Sequence, residues 1–107
     1  MQYKILFSDE AAADVQGIYD YIAEHGPGNP DQWKAGLAQQ LEWLEHSAGA
    51  CGRAVEDAYS RVTIYQKLFG PFRILFTISD ADVSVFTVRH SAMSFMSRSD
   101  VKQATDQ

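Results

Sequence analysis

The sequence predicts an α+β domain, an N-terminal helical hairpin packed on a mostly antiparallel four-stranded sheet in the order β-α-α-β-β-β. Three observations carry this expectation. Apolar residues recur at helical spacing in Val15-Ile18-Tyr19-Ile22 and again in Trp33-Leu37-Leu41-Leu44. Residues 61–90 read as three strands rich in β-branched and aromatic side chains, divided by turns at Phe69-Gly70-Pro71 and Ser79-Asp80-Ala81-Asp82. The two helical segments are joined by only a few residues, which makes them antiparallel neighbours able to cover one face of a sheet.

Taken in order, Tyr3-Lys4-Ile5-Leu6-Phe7 is an opening strand, and Ser8 is placed to cap the helix that follows. Asp9 and Glu10 sit in its first turn, where the helix dipole favours negative charge. His25-Gly26-Pro27-Gly28 ends it, since glycine supplies a left-handed terminus and Pro27 cannot continue the helix. Asn29-Pro30-Asp31-Gln32 opens the second helix, with Asn29 as cap, Pro30 at the first position and Gln32 completing a capping box. Gly36 is expected to let this helix approach the first. Ser47-Ala48-Gly49 stops it. Residues 49–60 have no periodicity and read as a loop with a short turn at Val55-Glu56-Asp57. After His90 comes the irregular apolar run Ser91-Ala92-Met93-Ser94-Phe95-Met96, then a weak last helix capped by Ser97 or Ser99.

At 107 residues the chain is one domain, residues 1–107, with residues 91–107 as a C-terminal extension. The single cysteine, Cys51, excludes an internal disulfide and points to a reducing cytoplasm. The longest apolar run is too short to span a bilayer, so no membrane partner is expected. The formal charge of −5 argues against a protein that coats nucleic acid. Its distribution is uneven: residues 1–48 carry eight acids against Lys4 and Lys34, whereas residues 49–107 carry six acids against seven bases.

Alternation along the strands sets which side chains share a face. Phe72, Ile74, Phe76 and Ile78 are expected to face the helices with Val62 and Ile64, leaving Arg73, Leu75 and Thr77 on an open face. Arg61, Thr63, Tyr65 and Lys67 fall on that open face too. If Phe86 and Val88 face the helices, Arg89 joins them. A face carrying Arg61, Tyr65, Lys67, Arg73 and Arg89 suits phosphate, carboxylate or an acidic partner segment, or is a solvated surface. His90 is the one histidine placed for acid–base chemistry. No Gly-rich phosphate loop, CxxC, HExxH or GxSxG motif is present, and nothing specifies a metal or an organic cofactor.

The opening YKILFSDEAAADVQGIYDYIAE, the helix pair and the block GPFRILFTISDADVSVFTVRH together resemble the RelE/ParE superfamily of bacterial toxins, over residues 3 to 93. The resemblance implies a RelE/ParE-like fold and a growth inhibitor of a type II toxin–antitoxin system, neutralised by a cognate antitoxin. It also implies one of two cellular targets. RelE-like members cut messenger RNA on the ribosome, and ParE-like members inhibit DNA gyrase. The endonuclease pattern fits poorly: Arg73 is present, but Thr63 and Tyr65 stand where that branch is basic, and Met93 lies where a basic residue follows the last strand. The ParE-like branch is therefore preferred, with a ribosome-dependent endoribonuclease or a non-toxic antitoxin-binding remnant as alternatives. An RNase would draw on Arg73, Arg89, His90, Lys67 and Tyr65. The partner-binding residues expected are Arg61, Arg73, Leu75, Arg89, Phe95 and Met96, the last two with Leu75 forming an apolar seat for an antitoxin helix.

Overall fold

The computed structural model describes residues 2–26, 28–93 and 95–105. Pro27, expected to stop the first helix, and Ser94 of the apolar run lie outside the described residues. The elements are β1 (Lys4–Phe7), α1 (Asp9–His25), α2 (Pro30–Ser47), β2 (Tyr65–Phe69), β3 (Phe72–Ser79), β4 (Asp82–His90) and α3 (Arg98–Thr105). Short 3-10 turns lie at Ala48–Ala50 and Val55–Tyr59. The strands form one mixed sheet in the order β1-β4-β3-β2. β1 runs parallel to β4, with Ile5 opposite Val83 and Phe7 opposite Val85, and the two hairpin pairs are antiparallel.

Local chemistry accounts for the helix ends. Ser8 Oγ accepts a hydrogen bond from the Ala11 N–H at 3.0 Å and donates to the Phe86 carbonyl at 3.3 Å, so one side chain caps α1 and ties its start to β4. Asn29 Oδ1 accepts from the backbone of Asp31 and Gln32, with Pro30 in the first turn. Ser97 and Asp100 cap α3 reciprocally, each side chain accepting from the other's N–H. Tyr19 links the two long helices by donating to Asp31 Oδ1 at 2.6 Å, and that bond to a carboxylate pushes the phenol up from its ordinary value.

Of the two glycines that end α1, Gly26 is extended (φ −74°, ψ 153°) and supplies room, since a Cβ there would lie 2.8 Å from Ile22 Cα. The left-handed residue of this connection is Gly28, at φ +102°. Gly36 does not serve the contact with α1. A Cβ there would meet the Phe69 ring of β2 at 2.7 Å, so it lets α2 sit down on the sheet.

The sheet is covered on both faces, which corrects the expectation of an open one. On the helix side Leu37, Leu44, Ile74, Phe76, Val83, Val85 and Val88 form the larger core. On the other side Ala54, Ile64, Leu75, Phe86, Met96 and Val101 form a second. The loop before β2 and the C-terminal segment thus make a second layer over the strands. A bulge makes this possible: Leu75 pairs with Thr87 but Phe76 with Val85, so Phe86 is the extra residue and turns into the second core. Beyond Phe7, where β1 ends, Asp14 of α1 takes over the β4 edge, accepting from the Val88 N–H and the Thr87 hydroxyl. A strand edge that would otherwise need a partner is closed by one carboxylate.

Candidate functional site

The strongest polar constellation is built around Arg73 on β3. Its neighbours Ile74 and Phe76 face the helices, so alternation points its side chain into the second layer. There Glu56, from the 3-10 turn, is completely buried and Arg73 is 5% exposed. The pair is bidentate: Arg73 Nη2 donates to Glu56 Oε1 at 2.6 Å and Nη1 to Oε2 at 3.1 Å. Arg73 Nε donates to Gln66 Oε1 at 3.1 Å, and Glu56 Oε2 also accepts the Met96 N–H at 3.2 Å. The Phe95 ring lies over the guanidinium, 5.2 Å from Cζ. Burial pushes the Glu56 carboxyl up, but hydrogen bonds from Arg73, from its own backbone and from Met96, with the Arg73 charge, hold it below the ordinary carboxylate value.

This arrangement relocates most of the expected site residues. Arg73 and Arg89 are brought side by side, paired in register across β3 and β4 as alternation required once Val88 faced the helices. Phe86, expected to accompany Val88, lies on the opposite face because of the bulge. Tyr65 and Lys67 do not join the arginines. Tyr65 stacks on Phe76 with ring centroids 5.7 Å apart, and Lys67 Nζ sits 4.8 Å from the Trp43 ring of α2, so both belong to the helix face. His90 is on that face as well, edge-on to Phe72 at 5.3 Å. The five residues an RNase would draw on are therefore divided by the sheet. Leu75, expected to point outward, is fully buried, Met96 closes the second core and Phe95 is exposed. Arg61 is exposed and lies beside Tyr59, Arg98 and Lys102 around a separate hollow.

Sequence reasoning allowed Arg73 an acidic neighbour but did not identify Glu56 as that acid. A carboxylate in a short turn ordinarily reads as solvated. The available signal was an arginine in the middle of an otherwise apolar strand, which needs a buried acid to accompany it.

On the helix side a groove of about 900 Å³ runs between the C-terminal half of α1, the start of α2 and the end of the β3–β4 hairpin. Ile18, Tyr21, Ile22, Trp33, Phe72 and Met93 line it, so its surface is largely apolar. His90 stands at its wall, and its Nδ1 accepts the Ala92 N–H at 2.9 Å. With Nδ1 accepting, Nε2 is the ring's N–H donor.

The family match, together with a fold of a helical hairpin on a four-stranded sheet with β1 parallel to β4, places the chain in the RelE/ParE superfamily of toxins. Within it the chain belongs to the ParE family: the model described as "ParE toxin of type II toxin-antitoxin system, parDE" matches residues 5–95. Its fold is similar to a chain of the chromosomal ParDE toxin–antitoxin system from P. aeruginosa, with TM-score 0.66 and 19% identity over 83% of this chain and 96% of that one. It is also similar to a chain of the RelBE2 toxin–antitoxin complex from Mycobacterium tuberculosis, with TM-score 0.58 and 17% identity over 84% and 99% of the two chains. No curated protein sequence is significantly similar to it. Among the described residues no helix is long and apolar enough to cross a membrane.

Proposed function

We propose that this chain is the growth-inhibiting component of a type II toxin–antitoxin pair, held inactive in the cytoplasm by a cognate antitoxin, and that it acts by binding DNA gyrase. The family match supports the toxin role, and the two structural neighbours come from toxin–antitoxin complexes. The observation that carries the choice of target is the buried Arg73–Glu56 pair. Cutting RNA through its 2′-hydroxyl requires a cation held against the phosphorane and a group to move the proton. Arg73 spends its guanidinium on Glu56 and Gln66, and His90, Tyr65 and Lys67 lie across the sheet from it. The charge of −5 also opposes binding to a phosphate-rich ribosome.

Purified protein added to gyrase and relaxed plasmid is expected to suppress supercoiling, and induced expression to produce filamentous cells with intact transcripts. Undiminished supercoiling across a wide dose range, with messenger RNA cleaved at the ribosomal A site, would reverse the choice between the two targets.

A further inference from the structure

A cationic cluster lies where the C-terminal helix meets the loop before β2. Arg98, Val101, Lys102 and Thr105 recur at i, i+3, i+4 and i+7, so they share one face of α3. Val101 is buried and seats that face on the second core. Opposite it stands the end of the 3-10 turn at Val55–Tyr59, and between them is a hollow of about 410 Å³ that Tyr59, Ser60 and Arg61 also line. Three of the chain's nine basic side chains therefore border one small space, and no carboxylate does.

The fold gives these charges no counterpart. Among the described residues none of the three forms a salt bridge. The neighbouring acids are engaged elsewhere. Glu56 holds Arg73, and Asp57 accepts the Ile64 N–H at 2.9 Å. Asp100 accepts the Ser97 N–H and faces a different hollow with Glu10 and Arg89. Arg98 and Lys102 are like charges one turn apart, which weakens a helix instead of supporting it. Arg98 is nevertheless steadied: its Cζ lies 6.0 Å from the centre of the Tyr59 ring, whose hydroxyl donates to the Met96 carbonyl. Ser60 Oγ accepts the Val62 N–H at 3.2 Å, which leaves its own O–H to donate.

We propose that this hollow binds an oligophosphate, a short chain of linked phosphates free or carried by a nucleoside. Two guanidinium forks and one ammonium answer its several negative charges, and a guanidinium pairs phosphate oxygens bidentately. The volume falls within the range of small-molecule sites. Compactness decides against a nucleic-acid backbone, which needs a basic stripe, and the acidic balance of residues 1–48 offers no continuation of one. The bound chain bridges Arg61 on the loop to Arg98 and Lys102 on α3, and so fastens the C-terminal helix to the second layer. The lining shares no residue with the helix-side groove or the Arg73–Glu56 cluster, so the site is independent of the choice between gyrase and ribosome.

The test uses the full chain in low-salt buffer, where screening is weak. Titration calorimetry with tripolyphosphate and with ATP is expected to give a Kd in the micromolar range, and citrate, a carboxylate trianion, to bind at least ~10-fold more weakly. Tripolyphosphate at about tenfold excess over its Kd is expected to raise Tm by about 5 °C. Equal affinity for tripolyphosphate and ATP assigns recognition to the phosphate chain alone, and tighter ATP assigns it to a nucleotide; both support the site. Arg61→Gln, Arg98→Gln and Lys102→Gln are each expected to weaken binding at least ~10-fold, whereas Lys34→Gln on α2, the same change in net charge, leaves it unaltered. Glutamine suits a helix and Arg61 lies outside α3, so circular dichroism separates loss of the helix from loss of the site. Four results would overturn the proposal: no heat and no Tm shift at about 1 mM ligand, citrate binding as tightly as tripolyphosphate, Lys34→Gln weakening binding as much as the three variants, or a single-stranded oligonucleotide binding more tightly than tripolyphosphate.

Discussion

The Arg73–Glu56 pair makes a prediction that can be worked from its geometry. Glu56→Gln keeps the shape of the side chain but removes its charge, leaving the Arg73 guanidinium 5% exposed with no anion. It also gives an amide nitrogen to one position where an oxygen now accepts from Arg73 or Met96. Removing one partner of a buried ion pair costs about 3–5 kcal/mol, because the surviving charge is left uncompensated. A domain of this size is stable by about 5–15 kcal/mol in total, so the loss is a large fraction of the whole. Replacing both residues with apolar ones of similar volume (Glu56→Leu with Arg73→Met) removes both charges, and such exchanges are often neutral. The assay is urea unfolding followed by tryptophan fluorescence on the four proteins of this cycle, using Glu56→Leu and Arg73→Met as the singles. Each single is expected to lose about 3 kcal/mol or more and the double about 1 kcal/mol or less, a coupling energy well beyond the usual non-additivity of neighbours. Singles that cost under about 1 kcal/mol and add within about 0.5 kcal/mol would refute the claim that the two charges are buried and mutually dependent.

Other consequences follow from the same structure. Glu56 is held below its ordinary value in the fold, so its contribution is complete above the unfolded value of about 4.3 and fades as pH falls through the lower folded value; urea midpoints should therefore drop on acidification below about pH 4.3 in the wild type more than in the Glu56→Leu/Arg73→Met double variant. Gly17→Ala should raise stability by about 0.5–1 kcal/mol in the same assay, since its methyl enters open space on a helix. Gly26→Ala should lower stability by about 1–3 kcal/mol, because the new methyl meets Ile22 backbone rather than a side chain that could move aside. Leu75→Ala should cost about 2–5 kcal/mol, as expected of a fully buried leucine and not of one waiting on a surface for a partner.

Where the sequence carried a period, the fold was readable. The stripes of α1 and α2, the caps Ser8 and Asn29 and both hairpin turns all followed from spacing and turn chemistry. The second layer was not readable, because it is made from segments that have no period: the loop holding Ala54 and Glu56, and the tail holding Met96 and Val101. One misplaced residue then propagated. Ile64 was read as facing the helices, whereas it belongs to the second core, held by the bond from its N–H to Asp57 and from Ala54 N–H to its carbonyl. With Ile64 on the far face, alternation sends Tyr65 and Lys67 to the helix side, and the basic platform divides. The bulge at Phe86 was equally hidden, since Val85, Phe86, Thr87 and Val88 run apolar enough to satisfy either phase.

The parallel pairing of β1 with β4 bears on the order in which the chain can acquire its structure. Ile5 is joined to Val83, so the first strand synthesised waits for nearly the last before it has a neighbour in the sheet. Until β4 emerges, the N-terminal part rests on its two helices, the Tyr19–Asp31 bond between them and the bond from Tyr3 N–H to the Glu45 carbonyl. Contacts closing so long a loop slow folding and are made late. On a polysome the growing chain would therefore stay incompletely folded until its final strand was in place.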